Sequence, residues 1–249
     1  MATPARKKKT DDVISTLASL GLGQTLSEFN YARCKKLLAE SKDQTPLELW
    51  RMLDSLTELN FNNLKTAHAL AVLNADKSTN LSVLRNAHYV FNHTLDYVKA
   101  SQTIEKIIDL TEKSNLDLSQ LPSDFILEFY LSGRLEELLK RKSVIEKFKD
   151  KIETFQNLDK WNNIDSEKLR MMMNIIHSVV ISNNARCWSF EYSVVEGEFL
   201  ISASIDASYE KLLYLDNQIF DECYKLNLID ELNVLSFGFH PFDGVQEND

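Results

Sequence analysis

Histidine and cysteine are the residue types here best suited to chemistry, but their spacing does not favour a shared site. The five histidines are His68, His88, His93, His177 and His240. His88 and His93 lie five positions apart and diverge on a helix, whereas paired ligands on one helix need spacings of three or four. The three cysteines, Cys34, Cys187 and Cys223, form no C-x-x-C pair. The sequence therefore predicts no metal site and no cofactor.

One histidine–cysteine pair has the residue types of a nucleophile and its base. His177 and Cys187 flank the junction between a predicted helix and a predicted hairpin. A catalytic dyad would need Cys187 as a thiolate within hydrogen-bond reach of His177. Nothing in the sequence indicates that proximity, so we interpret both as partly buried core residues. No catalytic residue is assigned, and an enzyme is the less favoured class.

Phosphate-binding loops are disfavoured because the chain has only 6 glycines. The Gly21-Leu22-Gly23 segment lacks the third glycine of a dinucleotide loop and follows a helical pattern rather than a strand. No Walker A sequence and no G-x-S-x-G elbow occurs. Nucleotide binding through backbone amides is therefore not expected.

Two basic segments are candidates for nucleic-acid contact, because phosphate binding needs only a positive surface. The first is the cluster Arg6, Lys7, Lys8 and Lys9. The second is segment 134–151, with Lys140, Arg141 and Lys142 at its centre. Acidic residues interleave the second segment, so a solvated, salt-bridged helix is the alternative interpretation. The first cluster could equally serve as a nuclear address in a eukaryotic host or aid solubility.

The charge of the chain is unevenly distributed. The net charge is −9, yet residues 186–249 hold 3 basic and 13 acidic side chains, while residues 1–185 hold 25 basic and 24 acidic. The acidic last quarter should repel nucleic acid and attract a basic partner. Any contact with a polyanion is expected earlier in the chain.

Helical periodicity dominates the first three quarters of the sequence. Thr45-Pro46-Leu47-Glu48 has the order of a capping box. Residues 79–115 read as helix with a break near Ala100-Ser101, and 159–163 reads as a loop. A further helix is predicted over 166–181, with an apolar stripe at helical spacing. These patterns predict a multi-helix domain.

The pattern changes to strand-like alternation after residue 186. Trp188, Phe190 and Tyr192 alternate with polar residues, which predicts a hairpin over 186–205. A helix over 207–226 and a third strand over 232–239 follow. The predicted fold is mainly α with a small C-terminal β-hairpin or three-stranded antiparallel element. The aromatic face should be buried by the helices or by a partner chain, so these three residues form a candidate interface.

The predicted organisation has four parts. They are a flexible basic arm (1–10), a helical domain (11–183), an α+β C-terminal subdomain packed on the helices (184–244) and an acidic tail (245–249). No apolar run approaches the ~20 residues that span a bilayer. Three cysteines without a signal peptide predict a reducing compartment, the cytoplasm, or the nucleus in a eukaryotic host.

These observations favour a non-catalytic intracellular interaction protein. An adaptor, a regulator or an assembly factor that acts through protein–protein contacts would fit, and a viral or phage origin would suit the sequence. The alternative is a nucleic-acid-binding regulator or nucleoprotein that uses the basic arm and segment 134–151. A homo-oligomer and an enzyme with an unfamiliar site are further alternatives.

Overall fold

The computed structural model describes residues 9–242 except 115, 163–164 and 196–197. Twelve α-helices and one three-stranded sheet lie within this described part, and 70% of the described residues are helical. The prediction of a mainly α fold with a small C-terminal sheet is confirmed. No described helix combines the length and apolar character needed to cross a membrane.

The helices are distributed along the whole described chain. The first six are α1 (Lys9–Ala18), α2 (Glu28–Ser41), α3 (Leu47–Asn60), α4 (Leu64–Lys77), α5 (Leu81–His93) and α6 (Tyr97–Lys113). The next four are α7 (Phe125–Leu131), α8 (Leu135–Leu138), α9 (Lys142–Asn162) and α10 (Ser166–Ser182). The last two, α11 (Tyr209–Lys225) and α12 (Ile229–Leu235), lie between the second and third strands.

Short polar side chains cap many helix starts, because they accept hydrogen bonds from otherwise unpaired backbone N–H groups. Such caps are Ser27, Asn80, Asp96, Asp165 and Ser208. The predicted capping box at Thr45–Glu48 is wrong, because α3 has no side-chain cap hydrogen bond. Glu48 Oε2 instead accepts a hydrogen bond of 2.7 Å from Ser78 Oγ, and this bond links α3 to the end of α4.

Three other predicted boundaries are wrong. The break in the 79–115 helix falls between His93 and Tyr97 rather than near Ala100, and Leu95 there has a φ of 54°. Helix α9 extends to Asn162, into the predicted loop, with a kink at Phe148. Residues 229–235 form α12 instead of the start of the third strand. A sequence pattern identifies an element more reliably than it identifies the residue at which that element ends.

The sheet is mixed rather than antiparallel. Strands β1 (Cys187–Val195) and β2 (Glu198–Ile205) form the predicted hairpin, with Phe190 opposite Ala203. Strand β3 (Phe237–Pro241) pairs with β2 in parallel, with Phe239 opposite Ala203. The prediction of a three-stranded antiparallel element is therefore wrong for the third strand. Helices α11 and α12 carry the chain back to the start of β2, and such a crossover yields a parallel neighbour.

One hydrophobic core joins the helices to the sheet. It extends from Leu59 in α3 through α10 to Phe239 in β3, and so crosses the predicted boundary at 183–184. A smaller cluster around Leu53 holds α1, α2 and α5 against α3. The sheet therefore packs on the helices in the same chain.

Candidate functional site

Helix α11 carries apolar residues on two of its faces. Its inward residues are Leu212, Leu215, Ile219 and Cys223, and they belong to the core. A second set, separated by four, seven and four positions, follows a neighbouring line along the helix. This set consists of Tyr209, Leu213, Phe220 and Tyr224, hereafter called the α11 stripe. A helix that packs on one face needs a single apolar line for that contact, and the second line has no cover among the described residues.

The α11 stripe is open to solvent. The exposed fractions are 68% for Tyr209, 46% for Leu213, 50% for Phe220 and 70% for Tyr224. The rings of Phe220 and Tyr224 stack with centroids 6.5 Å apart at 17°. This internal stacking holds two large rings side by side on the surface. Contiguous exposed apolar residues of this kind mark interaction surfaces more often than isolated ones do.

Acidic side chains border the α11 stripe. With 3.6 residues per turn, Glu210 and Asp221 fall along its solvent-facing edge. Both residues are exposed. Of the two lysines on the same helix, Lys225 pairs with Glu222 at 2.6 Å and Lys211 lies 5.4 Å from the Tyr214 ring centroid. The stripe therefore combines aromatic anchors with an acidic border.

A groove runs between α10 and α11, on the other flank of α11 from the stripe. Its volume is about 670 Å³, and its lining mixes apolar and polar residues. Several polar groups there are already satisfied, since Asn183 Nδ2 donates to Gln218 Oε1 at 2.7 Å and Lys225 pairs with Glu222. The groove thus offers few convergent free polar groups to orient a small ligand.

Two histidines and an aspartate meet where three helices approach one another. His68 lies in α4, Asp96 caps α6 and His177 lies in α10. The His68 Nε2 to Asp96 Oδ2 distance is 2.7 Å, and His177 Nε2 lies 3.8 Å from the same oxygen. The ring centroids of the two histidines are 4.7 Å apart. Among the described residues, these three form the group whose ligand atoms could hold a metal ion.

Backbone groups fix the orientation of this cluster. The His177 Nδ1 to Thr94 O distance is 2.8 Å, so Nδ1 carries the proton and Nε2 presents its lone pair. Asp96 Oδ1 accepts from the Lys99 backbone N–H at 3.0 Å. Burial lowers the pKa of His177, which favours the neutral imidazole. Burial also opposes ionisation of Asp96, but its hydrogen bond from His68 and the nearby His177 outweigh this and lower its pKa.

The structure does not bring His177 and Cys187 together as a dyad. His177 faces Thr94 and Asp96, while Cys187 Sγ donates to Ser189 O at 3.1 Å. Burial raises the pKa of the Cys187 thiol to about 12, so the thiol stays protonated at neutral pH. The nearer histidine is His93, whose Nδ1 donates to the Cys187 carbonyl rather than to its sulfur.

Segment 134–151 is divided between α8 and α9, and its arginines are paired. The Arg141 guanidinium donates hydrogen bonds to Asp109 at 2.6 Å and to Glu105 at 3.2 Å. Arg134 also donates to Glu105, at 2.6 Å. These acidic partners lie on α6, so the arginines tie two parts of the helical core together. Their charge is largely neutralised within the chain.

The remaining candidate contacts with nucleic acid are few in the described part. Lys140 and Lys142 are exposed. Lys9 begins α1 and pairs with Glu40 at 2.7 Å. The predicted contacts Arg6, Lys7 and Lys8, most of the predicted arm 1–10 and the predicted tail 245–249 lie outside the described residues.

The aromatic side chains of β1 pack against the same chain. Trp188 is buried, and Phe190 and Tyr192 are half-buried. The Trp188 ring contacts the Arg186 guanidinium and the Phe242 ring. The Phe190 ring packs against Tyr97, and the Tyr192 ring packs against Phe155 and Phe199. The helices and β2 therefore cover much of this candidate interface, and the more exposed aromatic surface lies on α11.

Comparisons with known proteins find no matching protein family, no similar curated protein and no similar solved structure. The geometry of the described residues is therefore the basis for the functional proposals below.

Sequence reasoning missed both the α11 stripe and the histidine cluster. The stripe had a signal, because apolar residues repeat at helical spacing along two lines of segment 209–225. The cluster had none, because His68 and Asp96 are 28 positions apart and Asp96 and His177 are 81 apart. Ligands from three separate helices follow no local spacing rule.

Proposed function

We propose that this chain is a non-catalytic interaction protein, an adaptor, regulator or assembly factor, that docks an amphipathic helix of a partner protein on the α11 stripe. The observation that carries the proposal is the solvent exposure of four apolar side chains in helical register. An amphipathic helix recognises such a line through its own apolar residues at matching positions.

The chemistry of the border selects a basic partner. Glu210 and Asp221 line the stripe, and Lys225 is engaged with Glu222. Lysine or arginine residues flanking the apolar face of a partner helix would meet these carboxylates. A second copy of the same helix would instead place acidic borders against each other. A basic, amphipathic helix is therefore the occupant that fits both the shape and the charge.

Intracellular location belongs to the same proposal. Cys34, Cys187 and Cys223 are all free and buried. Unpaired thiols are typical of proteins in a reducing compartment.

The first prediction concerns binding at the stripe. The probe is a fluorescent helical peptide built from leucine and lysine with leucines at heptad spacing, titrated with the full chain and followed by anisotropy. We expect Phe220→Ser and Tyr224→Ser each to weaken binding more than about tenfold, because exposed aromatic anchors dominate such contacts. Circular dichroism should show unchanged folding and thermal stability.

Phe29→Ser is the matched control, because Phe29 is 76% exposed on α2, away from the stripe. It should leave peptide binding unchanged. A peptide in which glutamate replaces lysine should bind far more weakly. Equal losses for the Phe29 and Phe220 variants would overturn the proposal. Light scattering that shows a dimer dissociated by Phe220→Ser would identify a second copy as the occupant and would also overturn it.

The alternative function, nucleic-acid binding through the basic arm and segment 134–151, has less support. The exposed Lys140 and Lys142 favour nucleic-acid binding, but Arg134 and Arg141 form ion pairs with carboxylates on α6. A surface whose positive charge is paired internally gains little from releasing phosphate counterions. The protein-docking proposal is therefore preferred.

A further inference from the structure

We propose that His68, Asp96 and His177 bind one divalent transition-metal ion through His68 Nε2, Asp96 Oδ2 and His177 Nε2. This site is separate from the α11 stripe, and neither proposal depends on the other.

The three ligand atoms are already close to the required separation. All of them lie within 4.8 Å of one another. Metal–ligand bonds of about 2.0–2.2 Å place neighbouring ligands roughly 3–3.5 Å apart. The observed separations of 2.7 Å and 3.8 Å from Asp96 Oδ2 bracket that range. Rotation of the two imidazole rings would bring the ligand atoms to the required separations.

The surroundings of the ligands resemble those of a metal centre. Histidine ligands usually donate their second ring N–H to a carbonyl or carboxylate, which fixes the tautomer. His177 does so to Thr94 O at 2.8 Å. The second oxygen of Asp96 is held by the Lys99 backbone N–H, which leaves Oδ2 directed at the histidines. Metal binding would replace the proton that His68 shares with Asp96, and that proton would move to Nδ1 or to solvent.

The ligand set selects the class of ion. Two imidazoles and one carboxylate suit Zn²⁺, Co²⁺, Ni²⁺ or Fe²⁺, whereas Mg²⁺ and Ca²⁺ prefer oxygen ligands alone. Three protein ligands leave at least one position for water or another small ligand. The side chains of His68 and His177 are partly exposed, at 19% and 18%, so such a ligand has access.

A second buried pair provides an internal comparison. His88 Nε2 lies 2.7 Å from Glu128 Oε1, and Asn92 donates to the same carboxylate at 3.0 Å. This group has a histidine and a carboxylate but no second histidine. The cluster at Asp96 differs from this pair by its second imidazole, which supplies the third ligand atom.

The experiment titrates the full chain with Co²⁺ and Zn²⁺. We expect one equivalent of Co²⁺ to produce visible ligand-field absorption without a thiolate charge-transfer band, and Zn²⁺ to displace it. Asp96→Asn, His68→Gln and His177→Asn should each weaken binding by more than about tenfold, since even outer partners contribute 10–100-fold. Asparagine is also a good helix cap, so Asp96→Asn removes the anionic ligand and keeps the cap on α6.

His88→Gln and His240→Gln are the controls, and both should bind Co²⁺ like the unaltered chain. If the cluster variants fail to fold, histidine-detected NMR of the unaltered chain provides the second measurement. Zn²⁺ should shift the imidazole signals of His68 and His177 and leave those of His88, His93 and His240 unchanged. The proposal is overturned by no binding, by a thiolate band, by undiminished binding in the folded cluster variants, or by shifts in other histidines.

Discussion

Arg186 is an unusual residue because its charge is buried away from any carboxylate partner among the described ion pairs. Its exposed fraction is 2%, and its guanidinium lies 3.8 Å from the Trp188 ring centroid. It also donates to Leu59 O at 3.2 Å. Burial lowers the pKa of Arg186. Stacking on an aromatic ring partly compensates a desolvated guanidinium, and the hydrogen bond to Leu59 O joins the start of β1 to the end of α3.

The neighbouring His93 is held neutral by the same environment. Burial is the main cause that lowers the pKa of His93 to about 3, and the positive charge of Arg186 lowers it further. Its hydrogen bond to the Cys187 carbonyl acts in the opposite direction but is weaker. Because the folded pKa lies below the ordinary value of about 6.5, the unfolded chain binds a proton more readily than the folded chain. His93 therefore stabilises the fold above pH 6.5, and that stability is lost as the pH falls towards 3.

This linkage predicts a specific pH dependence. Between pH 7 and pH 5, protonation of His93 in the unfolded state should lower the free energy of unfolding by about 2 kcal/mol. His93→Asn should remove that part of the slope, because asparagine can still donate to the carbonyl but does not titrate. Urea unfolding of both proteins at the two pH values measures the difference. Parallel pH slopes for the two proteins would refute the assignment.

At the scale of elements, the turn between α7 and α8 positions helix α10. Gly133 has a φ of +66°, and a Cβ there would collide with the carbonyl oxygen of Ser166. Ser166 is the first residue of α10, which carries His177. Only glycine combines this backbone conformation with so close an approach. The contact therefore fixes where α10 begins relative to α7.

A methyl group added at Gly133 tests the contact with Ser166. Gly133→Ala should lower the free energy of unfolding by at least about 2 kcal/mol, because it adds left-handed strain and a backbone collision. Gly238→Ala in β3 is the matched control, since a Cβ there meets nothing within 4 Å. Chemical denaturation should show the control close to the unaltered chain. Equal stabilities for the two variants would contradict the proposed contact.

Helix α11 shows a second feature at this scale. Its buried line packs against α10, α12 and β3, while its second apolar line has no cover within the described chain. Packing of the buried line stabilises the helix, so burial of the second line is not needed for folding. The exposed line is therefore available for a partner without loss of the fold.

At the scale of the whole molecule, the sheet is stabilised by the helices that cover it. Phe199 in β2 is fully buried, and its ring lies 5.7 Å from Tyr130 and 6.2 Å from Phe155. Phe190 in β1 is half-buried and lies 5.3 Å from Tyr97. Both rings contact helices of the same chain, so the packing of the sheet needs no second subunit.

Truncation of these two rings measures that packing. Phe199→Ala should cost about 3–5 kcal/mol, the usual loss for a fully buried phenylalanine, and Phe190→Ala should cost less because its ring is partly exposed. Neither change should alter the molecular mass. Thermal unfolding and light scattering of the two variants provide the measurements. A change of mass caused by Phe190→Ala would show that β1 lies at a subunit contact instead.

The class of fold and the type of most elements follow from patterns in the sequence. Helical periodicity predicts α10 over 166–181, and the structure has it over Ser166–Ser182. The alternation of Trp188, Phe190 and Tyr192 predicts the hairpin, which β1 and β2 form. These features depend on neighbours within a few positions, so the sequence pattern contains the necessary information.

Three features come from the tertiary structure and not from local sequence. They are the direction of β3, the pairing of Arg141 with α6 and the meeting of His68, Asp96 and His177. Each depends on contacts between residues far apart in the chain. The tertiary structure also decides which apolar line of α11 is buried, because both lines have helical spacing and the choice depends on what packs beside them. Local propensity determines that a helix forms, whereas the surrounding elements determine what each of its faces meets.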